Sequence, residues 1–230
     1  MTMIADNLQA VRARISAACL AARRPVNSVT LLAVSKTFAL PAIEQAIAAG
    51  QPCLGENYIQ EAVEKIRMLG NTRVQWHCIG PVQSNKTRLV AEHFDWVQSV
   101  DRLKIAQRLS EQRPAHLPPL QVCIQVNTDG GANKAGVAPE ALADLARALA
   151  RLPRLQLRGL MSIPEPASDF ETAKAQHIRA TQLFDGLNAE GLALDTLSMG
   201  MSADMEAAIH AGSTMVRVGT AIFGGRARPA

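Results

Sequence analysis

Aromatic residues are scarce in this chain of 230 residues: together they make 3% of it, with a single tyrosine. That scarcity removes the stacking platform on which single-stranded nucleic acid is bound. The basic residues that bring the net charge to +4 are scattered, with one terminal cluster at Arg226-Ala227-Arg228. So mild a positive balance suits small anionic ligands at least as well as nucleic acid. No apolar run reaches the roughly 18 residues that a membrane helix requires. The start, Met1-Thr2-Met3-Ile4-Ala5-Asp6, lacks the charged-then-apolar layout of a signal peptide. Cys19, Cys53, Cys78 and Cys123 form no CxxC pair, and three of them lie in apolar runs. They read as buried free thiols in a reducing, cytoplasmic compartment. The five histidines show no HExxH spacing, which argues against a metal site. A GxGxxG turn is also missing, and with it the usual mark of an open dinucleotide-binding sheet.

What is present is aliphatic. Hydrophobic residues make 48% of the chain, so the core must be built from Ala, Leu, Val and Ile. Ile4, Leu8, Val11 and Ile15 recur at helical spacing and predict a leading amphipathic helix that covers one end of the fold and stops near Arg23-Arg24-Pro25. Beyond it, short apolar runs at 31–36, 53–57, 75–80, 96–100, 121–127, 157–163, 196–201 and 215–220 read as strands. Stretches of helical period lie between them at 43–49, 62–69, 103–109, 142–152, 173–187 and 205–211. Eight strands alternating with helices predict parallel β/α units, and that number lets the sheet close on itself without an edge. The expected architecture is α/β: a single (β/α)8 TIM barrel with an extra N-terminal helix, one domain over 1–230.

In such a barrel the residues that end the strands share one mouth. The first strand runs through Leu31-Leu32-Ala33-Val34 into Ser35-Lys36-Thr37. Its lysine is either a stem reaching for water or an amine held for a carbonyl. The last two strands end in Met199-Gly200-Met201-Ser202 and Gly219-Thr220, where hydroxyls, backbone amides and glycine suit a phosphate. Ser202 as a plain helix cap and Gly219 as a plain turn residue are the structural alternatives. Alternation along 215–219 puts Met215, Arg217 and Gly219 on one face, so Arg217 points inward and must have a partner. A carboxylate is the structural default; a ring nitrogen serves equally, because a guanidinium does not give up its proton. A lysine, an arginine and a phosphate cradle in one mouth describe a pyridoxal 5′-phosphate site.

Six blocks carry a resemblance along nearly the whole chain. They are Ala33-Val34-Ser35-Lys36; Gly55-Glu56-Asn57-Tyr58-Ile59-Gln60-Glu61; Trp76-His77-Cys78-Ile79-Gly80-Pro81-Val82-Gln83-Ser84-Asn85-Lys86; Arg158-Gly159-Leu160-Met161-Ser162-Ile163-Pro164; Leu197-Ser198-Met199-Gly200-Met201-Ser202-Ala203-Asp204-Met205; and Val216-Arg217-Val218-Gly219-Thr220-Ala221-Ile222-Phe223-Gly224. In this order the sequence resembles the YggS/PROSC family of pyridoxal phosphate homeostasis proteins, whose barrel is similar to the N-terminal domain of alanine racemase, the type III fold of pyridoxal phosphate proteins. The resemblance implies that Lys36 carries the cofactor in an imine, with Asn57 beside it. It also implies that Ser202, Gly219 and Thr220 bind the phosphate and that Arg217 faces the ring nitrogen. Two positions depart from the family pattern: Gly131 stands where a glutamate is usual, and Gln98 where a histidine is frequent.

The expected role is holding rather than turnover. Facing Arg217, the ring nitrogen stays unprotonated and is a weaker electron sink. Tyr58 is the only tyrosine available as a second acid–base group, and it reads as a packing residue at a helix start. The chain is therefore expected to be a monomeric, cytoplasmic carrier in vitamin B6 and amino-acid homeostasis, with no catalytic residue assigned. Its partners would be pyridoxal phosphate and cofactor-dependent apo-enzymes, not nucleic acid or membrane. The alternative is a pyridoxal-phosphate-dependent amino-acid racemase. A more distant one is a phosphate-binding barrel enzyme without pyridoxal, in which Lys36 polarises a sugar carbonyl.

Overall fold

A computed structural model describes residues 2–70, 73–130 and 135–225. The Arg226-Ala227-Arg228 cluster and Gly131 lie outside the described residues. Among these residues eight strands are formed: β1 (Thr30–Val34), β2 (Cys53–Glu56), β3 (Gln75–Cys78), β4 (Trp96–Val100), β5 (Leu120–Gln125), β6 (Leu155–Met161), β7 (Thr196–Ser198) and β8 (Met215–Val218). They pair in parallel in sequence order, and β8 returns to β1 through Thr30↔Met215 and Ala33↔Val218 to close the barrel. The helices are α1 (Met3–Ala21), α2 (Leu40–Ala48), α3 (Ile59–Leu69), α4 (Thr87–His93), α5 (Leu103–Gln112), α6 (Pro139–Leu149), α7 (Phe170–Ala189), α8 (Met205–His210) and α9 (Thr220–Phe223). The (β/α)8 barrel expected from the alternating pattern is the observed fold, and α4 and α9 add to the helices anticipated.

Strand alternation sorts the core into two layers. Leu31, Ala33, Val216 and Val218 face outward into the large cluster shared with the helices. Leu32 and Met215 face inward, where they meet Cys53 and Ile79. Arg217 follows Met215 on the inner face and is 4% exposed, as the alternation required. Gly159 on β6 has a direct steric reason: a Cβ there would lie 1.7 Å from the Thr196 carbonyl oxygen on β7.

The leading helix differs from expectation in its place. Ile4, Leu8, Val11 and Ile15 are buried as predicted, but α1 packs against α2, α8 and α9. It joins the outer ring, where α9, at four residues, is too short to cover the β8–β1 seam. Arg12 fixes it by donating to the carbonyls of Ala49 and Gly50 beyond α2, and Asn7 donates to Ile222 O on α9. All four cysteines are free and buried. Among the described residues, no helix is long and apolar enough to cross a membrane.

Candidate functional site

Apart from Arg217 on β8 and Thr220 at the start of α9, the residues that the sequence points to lie past the strand ends, in loops. β1 ends at Val34, and the chain turns at once, with Phe38 N donating to Ser35 O at 3.1 Å. Within that turn Thr37 has φ 67°, a left-handed conformation that a β-branched residue rarely adopts. Lys36, half-buried, lies at the centre of it. Asn57 follows directly on β2. The loop after β3 is pressed onto it: a Cβ at Gly80 would lie 2.2 Å from Asn57 O. Ser99, near the end of β4, is spent on this loop, donating its hydroxyl to Gly80 O at 2.5 Å.

On the far side of the mouth, Gly200 turns with φ +91° so closely that a Cβ would come within 2.5 Å of Ala208 Cβ. Beyond it, Met201 N donates to Asp204 Oδ1 at 2.6 Å, and Asp204 Oδ2 is 2.9 Å from His177 Nε2 of α7. Burial pushes the Asp204 carboxyl up, but the His177 ring and the Met201 N–H outweigh it and hold the group below its ordinary value. The Ser202 loop is thereby tied to α7. Gly219 starts α9, where a Cβ would lie 3.2 Å from Val34 O. Glycine is what lets the last loop close on the first strand.

Lys36, Asn57, Ser202, Arg217, Gly219 and Thr220 all line one cavity of about 320 Å³, with Ile79, Ile163 and Met201 as apolar walls. This volume lies at the small end of ligand sites, roughly 300–1,000 Å³. All six residues singled out in the sequence are thus brought together. Other polar strand-end residues are not. Asp101 pairs with Arg102 at 2.7 Å, Lys86 precedes α4, and Tyr58 is 53% exposed at the start of α3 and outside the cavity lining.

Arg217 does not have the carboxylate that a buried guanidinium takes by default. Its Nη1 donates to Ser198 O at 2.7 Å and to Ser198 Oγ at 2.9 Å, and its Nη2 donates to Ser162 O at 2.9 Å. Among the described residues it forms no ion pair. Burial lowers its pKa to about 10, against a smaller upward pull from Asp204, and it remains charged at neutral pH. Below it runs a neutral chain: Ser198 Oγ donates to Gln98 Oε1 at 2.7 Å, and Gln98 Nε2 donates to His77 Nδ1 at 3.0 Å. Burial pushes the His77 pKa down to about 3, so the ring is uncharged. Gln98, one of the two departures from the family pattern, is therefore a link in the support of Arg217. Asn57 Oδ1 and Ser162 Oγ are buried with no hydrogen-bond partner among the described residues.

Sequence reading did not find Ser198, Ser162 and Gln98 as supports of Arg217, because their convergence depends on register around the closed barrel. It also did not find Lys65. That side chain is buried in α3 with its Nζ 2.8 Å from Glu56 Oε1 and 2.6 Å from Glu61 Oε1. The one available signal was the Glu61–Lys65 spacing of four, which also describes an ordinary surface pair.

The alanine racemase N-terminal domain family matches residues 6–227. The pyridoxal phosphate homeostasis protein of Pseudomonas aeruginosa is 58% identical over 226 residues, covering 98% of this chain and 97% of that one. The protein of the same description from Escherichia coli K12 is 56% identical over 233 residues, covering 98% of each. Among solved structures, PipY of Synechococcus elongatus with PLP bound is 36% identical, with a TM-score of 0.83 over 96% of this chain and 100% of that chain.

Proposed function

Since the chain belongs to the pyridoxal phosphate homeostasis protein family, built on the alanine racemase N-terminal domain, we propose that it holds pyridoxal 5′-phosphate reversibly at Lys36 and acts in pyridoxal phosphate (vitamin B6) and amino-acid homeostasis. The observation that carries this reading is one cavity lined by an amine, an amide, a guanidinium and two glycine-containing loops. The residues suit the cofactor. Asn57 Oδ1 has no donor among the described residues. Arg217 brings a positive charge to the cavity wall and forms no ion pair among the described residues. At Gly219 a side chain would crowd Val34 and the mouth.

The cofactor supplies an aldehyde that condenses reversibly with a primary amine. The protein's own groups do the rest. Lys36 contributes the amine. The Ser202 hydroxyl and the backbone N–H groups at Gly219 and Thr220 receive the phosphate. Arg217, which donates and cannot accept, holds a ring nitrogen in its unprotonated form. Lys36 and Arg217 are the only ionisable side chains among the described residues lining the cavity, so a second acid–base group for the opposite face is not provided. Tyr58 is exposed and is not among the residues that line the cavity. The working form is a cytoplasmic monomer of one domain over 1–230 that gives up its cofactor to apo-enzymes.

Titration with pyridoxal phosphate is expected to raise a visible absorption band that Lys36→Ala lacks, and borohydride reduction to fix the adduct on Lys36. A colourless protein, or an adduct on another residue, overturns the reading. Incubation with single-enantiomer amino acids in deuterated water separates it from racemisation: α-deuterium exchange no faster than with free cofactor is expected, and exchange at enzyme turnover rates makes the protein a racemase.

A further inference from the structure

We propose that the buried cluster of Glu56, Lys65 and Glu61 is a positioning device for the Lys36 amine. The inference rests on the reading of Lys36 as the amine that takes the cofactor. Lys65 is 7% exposed on α3. Its ammonium donates to Glu56 Oε1 at 2.8 Å and to Ser35 O at 3.1 Å, and lies 2.6 Å from Glu61 Oε1. The two carboxylates then reach both neighbours of Lys36. Glu56 Oε1 accepts from Ser35 Oγ at 2.7 Å, and Glu61 Oε1 accepts from Thr37 N at 2.9 Å.

Three tethers therefore end on the residues that flank Lys36, while the cavity takes Lys36 itself. Thr37 explains why so many are used. At φ 67° it sits in a conformation disfavoured for L-residues by about 1–2 kcal/mol. Such a conformation persists only where the surroundings over-determine it, and these outliers gather at ligand clamps. Released from Glu61, the Thr37 peptide can relax, and the lysine between the two tethers turns with it. Lys65 acts through the turn rather than on the cofactor, as the hub that keeps both carboxylates in place.

The test compares Glu61→Ala with Glu61→Gln, which keeps an acceptor for Thr37 N. Glu61→Ala is expected to weaken pyridoxal phosphate binding about tenfold, to shift the pH at which the visible band titrates, and to speed hydrogen exchange of the Thr37 amide in the cofactor-free protein. Glu61→Gln is expected to stay within about twofold of the unaltered protein on the same scale. Ser35→Ala removes another tether without touching a charge and is expected to weaken binding by about threefold, which keeps the inference open to refutation if Glu61→Ala does not fold. If binding, band titration and Thr37 exchange are unchanged in these variants, the positioning role is wrong while the role of Lys36 stands. If the unaltered protein forms no band, the reading of Lys36 fails, and the inference falls with it.

Discussion

Two buried cations stand on either side of β1, one behind β2 and one on β8, and they are satisfied in opposite ways. Lys65, behind β2, is neutralised by two carboxylates and serves the turn that carries Lys36. Arg217, on β8, is held by two carbonyls and a hydroxyl, and its charge is left for the cavity. A buried ion without a counter-ion is expensive. Where it lines a ligand cavity, the simplest account is that the missing neutral acceptor belongs to the ligand. Carbonyl pairing alone does not mark a site: Arg113 is also held by carbonyls, those of Ala91, Phe94 and Pro118. It lies just before β5, at the opposite end of the barrel, where residues serve stability.

The comparison breaks most directly at Lys65. Lys65→Met strands Glu56, which keeps only the Ser35 hydroxyl as a donor and whose second oxygen has no partner among the described residues. A loss of about 3–5 kcal/mol in urea unfolding at neutral pH is expected, because a buried charge loses its counter-ion. Burial already raises the Glu56 pKa, and the bonds from Lys65 and Ser35 only partly oppose it. A carboxyl raised in the folded state favours folding below its unfolded value and withdraws that contribution as pH rises through the folded one. The deficit of Lys65→Met is therefore expected to shrink as pH is lowered into the carboxylate range. An equal deficit at all pH values means that Glu56 is not the group left behind.

Arg217→Met is the matched control. It removes a charge that has no ion pair among the described residues and leaves two carbonyls and a hydroxyl short of a donor, a loss of about 1–2 kcal/mol. The expected larger consequence is on the bound cofactor, whose band should acquire a new dependence on pH once its ring nitrogen is no longer held by a group that only donates. Equal destabilisation by the two substitutions would erase the distinction drawn between them.

Asp204→Asn probes the Arg217 side by a smaller step. It weakens the contact to His177 and alters the acceptor for Met201 N, so the Ser202 loop loosens, at about 1–2 kcal/mol. The Asp204 pKa lies below its ordinary value, so its contribution is present above the unfolded value and lost as pH falls through the folded one. Acid unfolding of the unaltered protein should show this loss and that of Asp204→Asn should not, the reverse of the pH trend expected at Glu56.

The barrel itself was legible in the sequence because each strand is a short apolar run between helical periods. Trp96–Val100 was bounded to the residue. Elsewhere the runs were read too far at their carboxyl ends: β7 stops at Ser198 and β3 at Cys78, short of Met201 and Gly80. The cause is physical. Met199 past β7 is fully buried and Ile79 past β3 packs on the inner cluster, so hydrophobicity continues where the ladder has ended. The inward turn of Arg217 was legible from alternation alone, but its partners were not. Ser162, Ser198 and Gln98 come from three other strands or their ends, and only barrel closure brings them together. The seven-residue α4 was missed because its buried face is only Thr87, Val90 and Ala91. Lys65 was hidden by its neighbours, since in Glu64-Lys65-Ile66-Arg67 it reads as one more surface charge.

Thr37→Gly is the finest test of the division between the two sides, because stability and binding should move in opposite directions. Glycine adopts φ 67° without the steric cost that threonine meets there. It also adds freedom to the unfolded chain, which offsets part of the gain, so the net stabilisation should be about 0.5 kcal/mol. In a domain of this size that is a rise of about 1–2 °C in melting temperature. The backbone N–H remains for Glu61, so the tether survives, but glycine opens conformations of the Lys36 turn that threonine excludes. Each of these must be given up on binding, and an affinity about threefold weaker is expected alongside the higher melting point. A variant both more stable and tighter in binding would mean that the left-handed threonine contributes nothing to the site. One less stable and weaker would mean that its side chain is packed rather than strained.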